Sequence, residues 1–514
     1  MKEIVVVWFK RDLRLSDHAP LQAAIDSGYP VLMVYCFEPS LLSLPESDDR
    51  HWRFAYEGIA DVNHQLVEFN TRIYYFSEEV AHTFNELLCH FNIRAVYSHE
   101  ETGLEVTYRR DQQFARWCKT KAIPWHEFRR DGLLRGAPNR KGWQQQWEQF
   151  MNAPCVTPQL SKLQPVSIPS QCLAQLNSDL PKMLTTPEPS FLKGGPTLAA
   201  RLLRSFVDER CYSYISHISR PAESQQSCSR LSPYMAHGNI SAREVYQTAK
   251  QLKALNVHNL SKQADEFLSR IWWRCHYMQK LETDYRIEHS HINTGFDKLE
   301  KPYRADFFEA WSQGNTGFPM ADASMRCLIQ TGYLNFRMRA MLATFWSFTL
   351  WQDWRKGAEW LAKVFLDFEP GIHYPQFQMQ AGMTGYHPLR IFSPIAQTEK
   401  YDTEGKFIYQ WVPELRNVPA HLLARPWEIP PLEQQFYGCQ IGIDYPMPIV
   451  DYQKATRAAK EKYWEFRKGE GVKGRLPDVW HRFSLPQDIL SYQKELFAGK
   501  EVVVTESLMY QPEW

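Results

Sequence analysis

Two serines three positions apart, Ser229 and Ser232, stand in the run Ser229-Arg230-Leu231-Ser232-Pro233-Tyr234. Hydroxyl and backbone N–H donors beside a helix start are what a bound phosphate needs. A serine there also serves as a plain helix cap. Oxidisable rings offer a second chemistry. Trp346, Trp351, Trp354, Trp360 and Tyr374 lie close together and could pass electrons, although rings at helical spacing also build cores. Cations offer a third. Lys454, Arg457, Lys460, Lys462, Arg467, Lys468, Lys473 and Arg475 crowd one late stretch, several of them on a helix expected to end near Gly469. That pattern is either a solvated face or a contact to nucleic acid or a partner. Other chemistries lack their residues. The ten Cys are scattered without a CxxC pair, which argues for a reducing compartment and against a disulfide framework or a four-Cys iron–sulfur cluster. No Gly-rich dinucleotide fingerprint follows the first apolar run, and no metal site is expected.

The elements that must hold these residues change character along the 514 residues, a length that suggests about two to four domains. Ile4 to Phe9 and Val31 to Phe37 are short apolar runs suited to buried parallel strands, with a helix expected from Ser16 to Ser27 between them. Ile73 to Phe76 and Ile93 to Tyr97 continue the alternation. Strands alternating with helices imply a Rossmann-like parallel α/β sheet over 1–135. Residues 136–195 are broken by prolines, from Pro154 to Pro189, and read as a connector crossing the surface. From Pro196 the pattern is helical. Leu198, Leu202 and Phe206 share a face, as do Phe267, Ile271 and Arg274, and Trp351, Trp354 and Ala358. An all-α domain is expected over 196–480, with a C-terminal extension over 481–514. Lys plus Arg is 59 against 58 acidic residues; a balanced sum does not exclude nucleic acid, because local patches set the field. Neither a secretory signal nor a long apolar run is evident, so a cytoplasmic monomer that crosses no membrane is expected.

Longer motifs are more specific. Trp8-Phe9-Lys10-Arg11-Asp12-Leu13-Arg14-Leu15, Gly194-Gly195-Pro196-Thr197, the Ser229–Tyr234 run with Gly238-Asn239-Ile240-Ser241, and Trp272-Trp273-Arg274 are followed by Gly317-Phe318-Pro319-Met320-Ala321-Asp322, Gly332-Tyr333-Leu334, Arg390-Ile391-Phe392-Ser393-Pro394 and Trp411-Val412-Pro413-Glu414-Leu415. In this order they resemble the photolyase–cryptochrome family, as a divergent, bacterial-type, class I-like member. The resemblance implies FAD held in the helical domain by Tyr214, Ser229, Arg230, Leu231, Ser232, Phe267, Arg274, Arg339, Asp367, Glu369 and His373. Arg339 and Asp367 would form a salt bridge beside the flavin ring. His373 would face flavin N5, where an imidazole can donate or accept a proton. Trp273 would stack on a pyrimidine dimer, and Arg390 would contact the phosphates of UV-damaged DNA. The α/β half resembles a site for a second, antenna chromophore, with folate, deazaflavin and flavin left open.

Departures from the family matter as much. Arg270 stands where dimer photolyases carry Glu, and Phe336 where they carry Asn. Arg could contact a phosphate or carbonyl, and Phe could stack. The His residues of (6-4) photolyases are absent at Phe336 and Ala340. In the electron-transfer chain the flavin-proximal Trp is replaced by Phe377, the middle one aligns with Trp354, and the surface one falls near Lys301, with Tyr303 close by; Trp346, Trp351, Trp360 and Tyr374 could form another route. Two functions follow from the resemblance. One is a deoxyribodipyrimidine photolyase, a lyase driven by electron transfer from excited, reduced flavin, with Trp273, Arg270, Phe336 and His373 as its catalytic set. The other is a cryptochrome-like blue-light sensor that signals to a partner through flavin redox change without repair.

Overall fold

The computed structural model describes residues 1–255 and 258–485; the rest of the expected C-terminal extension, 486–514, lies outside the described residues. Five strands form one parallel sheet: β1 (Lys2–Phe9), β2 (Val31–Cys36), β3 (Ile73–Phe76), β4 (Phe91–His99) and β5 (Trp125–Phe128), in the order β3-β2-β1-β4-β5. Alternation in β1 divides its side chains between two cores. Ile4, Val6 and Trp8 pack with Phe84, Leu87 and Phe114, on helices α3 (Val80–His90) and α4 (Glu105–Thr120). Val5, Val7 and Phe9 face Leu21, Ile25, Ile59 and Val62, on α1 (Ala19–Asp26) and α2 (Asp49–Leu66). Strands buried on both faces explain their near-continuous apolar runs.

Helix α1 begins later than the expected Ser16. His18 is its cap, Nδ1 accepting the Leu21 N–H at 3.1 Å, and Asp17 takes φ 46°, which a right-handed helix cannot run through. A larger correction concerns 136–195. Within the expected connector, α5 (Trp143–Asn152) repeats Trp143, Trp147 and Met151 at helical spacing, and all three are fully buried. Trp143 meets Trp272 at 5.8 Å between ring centroids, and Trp147 meets Tyr246 at 5.4 Å. Val166, Ile168, Cys172 and Leu176 then cover one face of the sheet. Prolines suggested a connector, but the apolar side chains between them decide burial; only about 177–190 runs mostly exposed.

The remainder is helical: α6 (Pro196–Asp208), α7 (Ala242–Ala254), α8 (His258–Thr283), α9 (Pro319–Thr331), α10 (Phe336–Thr344), α11 (Trp354–Val364), α12 (Pro370–Gln380), α13 (Pro394–Tyr401) and α14 (Tyr452–Arg467) are its longer members. Helix α8 packs along α7 and α12. The expected stripe Trp351, Trp354 and Ala358 is broken. Trp351 has φ 51° and precedes Asp353, whose carboxylate caps α11. Late cations on α14 form a solvated face, with Lys454, Arg457, Lys460 and Lys462 exposed and Thr456, Ala459 and Tyr463 turned inward. Among the described residues no helix is long and apolar enough to cross a membrane.

A buried ion cluster joins the two halves. Glu369, the N-cap residue of α12, is contacted by Arg11 and Arg130 from the sheet half at 3.3 Å each and by Arg274 of α8 at 3.4 Å. Asp131 binds Arg130 at 2.6 Å and Arg274 at 2.8 Å. With the Glu369 side chain only 2% exposed, removing its charge leaves cations buried and under-compensated. Glu369→Gln is therefore expected to cost about 3–5 kcal/mol of stability, as broken buried pairs do, measured by denaturant unfolding. A loss below about 1 kcal/mol, the scale of a surface pair, would show that the cluster does not hold the halves together.

Candidate functional site

Arg339 on α10 and Asp367, just past α11, form a two-pronged pair at 3.0 and 2.8 Å. Their exposures differ: the Arg339 side chain is 28% exposed and Asp367 only 4%. Arg339 is held in place by donating Nε–H to the Leu334 carbonyl and by lying over the Phe365 ring. His373, on the first turns of α12, is within ring contact of Phe365 and Phe368. Burial pulls its pKa down to about 4, against the partial offset of a hydrogen bond to the Ala358 carbonyl. The ring is thus neutral near pH 7. Nε2–H donates to that carbonyl at 2.8 Å, leaving Nδ1 as an acceptor.

The expected cofactor residues fall into three groups. Arg339, Asp367 and His373 surround one another. Ser229, Arg230, Leu231 and Ser232 form a turn in which Arg230 adopts φ 60°; its guanidinium covers the Tyr333 ring at 3.8 Å, and the Ser229 hydroxyl accepts the Leu231 N–H. Tyr214 and Phe267 are buried against Phe206, and Leu231 is wholly buried. Arg274 and Glu369, by contrast, sit in the ion cluster between the halves, where each carries charge partners already. Two buried polar atoms near these groups lack a partner in the protein, Arg230 Nε and Asn335 Oδ1. Sequence reasoning missed Asn335, since a lone Asn before a helix reads as a cap. These unpaired groups, the serine turn and the charge pair fit a ligand bearing phosphates and a polar ring.

The ring candidates also separate. His373 touches Tyr374 at 5.3 Å and Phe377 at 6.0 Å, and Tyr374 meets Trp354 at 6.4 Å. Gly357 lets Trp346 and Phe377 approach the same point of α11, because a Cβ there would lie 2.4 Å from one and 3.0 Å from the other. Lys301 is half-buried: its Nζ donates to the Ser347 carbonyl at 2.7 Å and lies 4.6 Å from the centre of Trp351. Burial pulls its pKa down to about 7. Tyr303 is exposed.

Arg270 and Phe336, distant in sequence, meet. Arg270 on α8 lies 5.1 Å from the ring centre of Phe336, the first residue of α10, and ion-pairs with Glu266 one turn back. Trp273 is half-buried three residues on, on the same helix face, its ring near-parallel to Tyr277 at 5.7 Å. The loop carrying Arg390 is tied to α10 where the Phe392 N–H donates to Thr344 Oγ1 at 3.2 Å.

A separate open pocket lies at the carboxyl ends of β1, β2 and β4, where the strand order reverses and α/β sheets bind ligands. Arg11, Glu38, Glu101 and Arg110 line it from the sheet half, and His237 and Phe368 from the helical half. Arg110 bridges Glu38 at 2.8 Å and Glu101 at 2.6 Å. Nearby, Asp12, His18 and His99 bring potential ligand atoms within 4.8 Å of one another. Asp12 Oδ2 is 2.7 Å from His99 Nδ1 and 3.2 Å from His18 Nε2. His18 Nδ1 accepts a backbone N–H, and His99 Nδ1 hydrogen-bonds the Asp12 carboxylate, which pins the end of β1.

Comparison with known proteins places this geometry. A family model described as DNA photolyase matches residues 5–141, and one described as the FAD binding domain of DNA photolyase matches 267–465. This chain belongs to the photolyase–cryptochrome family. It is 28% identical over 499 residues to a cryptochrome DASH of Gloeobacter violaceus, covering 90% of this chain and 96% of that protein. Its fold matches a bacterial class III photolyase from Agrobacterium tumefaciens with a TM-score of 0.76 at 27% identity, over 91% of this chain and 98% of the other. An archaeal photolyase from Sulfolobus tokodaii, solved with two FAD molecules, gives 0.72 at 25% identity over 90% and 100%. The parallel sheet joined to a helical FAD-binding half is that family's architecture, and FAD is the cofactor of the helical half.

The sheet-end cavity of this family member yields a pH prediction. Burial raises the Glu38 pKa to about 7 from an ordinary 4.5, against the opposing pull of Arg110. A raised acid favours its protonated form in the fold, so its contribution is full below about 4.5 and lost as pH rises through about 7. Glu38→Gln should therefore gain stability relative to the parent between pH 5 and 8 in urea unfolding. Parallel pH profiles would show that Glu38 stays ionised in the fold.

Proposed function

We propose that the protein is a deoxyribodipyrimidine photolyase, repairing UV-induced pyrimidine dimers in DNA under light. The observation that carries this reading is the contact of Arg270 with Phe336, which builds a donor-rich, aromatic mouth one turn from Trp273. Reduced FAD, when bound, supplies an electron to the substrate on absorbing light. The other roles belong to the chain. The Ser229–Ser232 turn and Arg230 hold phosphates. Arg339 keeps a cation beside the ring site, stabilising negative charge there, while Asp367 fixes its direction. Neutral His373 accepts through Nδ1. Arg390 binds backbone phosphates, and a dimer, which stacks poorly in the duplex, is extruded at modest cost. Trp273 and Phe336 stack on it, and Arg270 donates to its carbonyls.

A second reading, a photosensor, is favoured by one feature: the Glu266 carboxylate beside the mouth is engaged by Arg270. The sheet-end cavity is proposed for the second chromophore; its charged and aromatic lining suits folate, deazaflavin or flavin alike.

Light-dependent repair by the reduced protein, on single- and double-stranded oligonucleotides each carrying one defined lesion, tests the assignment. Conversion under blue light and not in the dark is expected. Failure on cyclobutane and (6-4) lesions alike, with FAD bound and reduced, would move the assignment to the photosensor. Phe377, a ring very hard to oxidise, stands at the flavin-proximal position of the electron route. Phe377→Trp should speed light-driven reduction of bound FAD, followed by absorbance with an external thiol. An unchanged rate would mean that electrons already enter by another path.

A further inference from the structure

A second pocket lies between residues 284–294, which follow α8, and α15 (Leu476–Phe483). Its charge is unbalanced. Arg286, Arg475 and Arg482 line it against two carboxylates, Asp284 and Asp478. Asp284 is shared: Arg286 donates to it at 2.8 and 2.9 Å, and Arg482 donates to its Oδ2 as well. Asp478 stands 4.0 Å from Arg482, too far for a hydrogen bond. Arg475, exposed at the N-cap of α15, makes no ion pair among the described residues. Ser290 and Thr294 add hydroxyls, and Ile287, Ile292 and Phe483 add apolar surface. His291 forms one wall. Its side chain is 6% exposed, with Asp297 Oδ1 at 2.7 Å from Nδ1. The imidazole meets the Trp354 ring edge-on at 6.2 Å between centroids. Trp354, only 1% exposed, continues to Tyr374 at 6.4 Å, and Tyr374 to His373 at 5.3 Å. One imidazole therefore separates this pocket from a line of rings that reaches the Arg339–Asp367–His373 group without passing through Phe377.

We infer that this pocket binds a small organic anion of the enediol class, and that the bound anion is the electron donor for light-driven reduction of FAD. Guanidiniums only donate hydrogen bonds, and their planar fork matches two neighbouring oxygens of an anion. The apolar wall covers the donor's carbon skeleton. A neutral donor would gain nothing from the surplus positive charge. The electrons balance as follows. Trp354 loses one electron, by way of Tyr374, to light-excited, oxidised FAD. Across His291 the donor monoanion returns one electron to the indole radical cation, becomes a neutral radical and then releases one proton to water. Trp354 is thereby restored. Only FAD is required, so the inference holds for a photolyase and a photosensor alike.

The test uses the FAD-loaded full chain, with ascorbate as the probe. Calorimetry in the dark should show one saturable ascorbate site. Arg475→Gln should weaken it about tenfold, the scale of one charge-assisted hydrogen bond, and Arg475→Lys should restore most of the affinity. Under blue light the rate of FAD reduction should saturate with ascorbate near the dark dissociation constant, and rise linearly with neutral dithiothreitol. At low donor concentration Arg475→Gln should lower the ascorbate rate about tenfold relative to the dithiothreitol rate. Trp354→Phe should abolish ascorbate-driven reduction although ascorbate still binds in the dark. Melting temperature and FAD absorbance report whether each variant is folded. Absence of dark binding, a linear ascorbate rate, or an equal loss with both donors in Arg475→Gln would overturn the inference. Undiminished reduction in Trp354→Phe would overturn the donor role even if ascorbate binds.

Discussion

Everything on the flavin side of the molecule hangs from the buried ion cluster around Glu369 and Asp131. Arg130 and Arg274 each pair with both Asp131 and Glu369, which makes their withdrawal from water tolerable, and Arg11, 19% exposed, adds a third guanidinium to Glu369. Arg11 adds a donation to the Phe368 carbonyl at 2.7 Å. Glu369 caps α12 two residues after Asp367 and four before His373, so the cluster sets the register of the carboxylate that directs Arg339 and of the imidazole beside it. A hydrophobic contact of equal area would join the halves with less angular definition.

The same junction borders both the sheet-end pocket and the Arg339–Asp367–His373 group. Phe368 lines the sheet-end cavity and contacts the His373 ring at 5.3 Å. His237, also in the cavity wall, lies on the helical half near Leu366. Phe368 thus touches the pocket on one side and His373 on the other.

Legibility differed by the range of the interaction involved. Strands β1 and β2 are buried on both faces, so their runs of apolar residues could be read directly. The parallel sheet and the helical half were legible on that basis, and the family's motifs pointed to FAD. Helix α5 was obscured because local proline content outweighed the spacing of Trp143, Trp147 and Met151. The start of α1 was misplaced because a histidine cap at His18 and a left-handed Asp17 are not signalled by residue type. In the site, Arg339 pairs with Asp367 as the resemblance implied, Arg270 meets Phe336, which no motif signalled, and Arg274 and Glu369 lie in the ion cluster. Asn335 gave only the signal of a helix cap, a bond that its side chain does not make.

By itself, the sequence determined what each segment could bury and which chemical groups were available: hydroxyls at Ser229 and Ser232, a ring where others carry an amide at Phe336, a phenyl in place of an indole at Phe377. These follow from side-chain type and local periodicity, which act over a few residues. Tertiary structure alone decided which charges neutralise one another, which histidine stays neutral and which rings line up with cations. Those outcomes depend on burial and on distances between segments tens to hundreds of residues apart. Both electrostatic energy and desolvation vary steeply with such distances, and no local pattern encodes them.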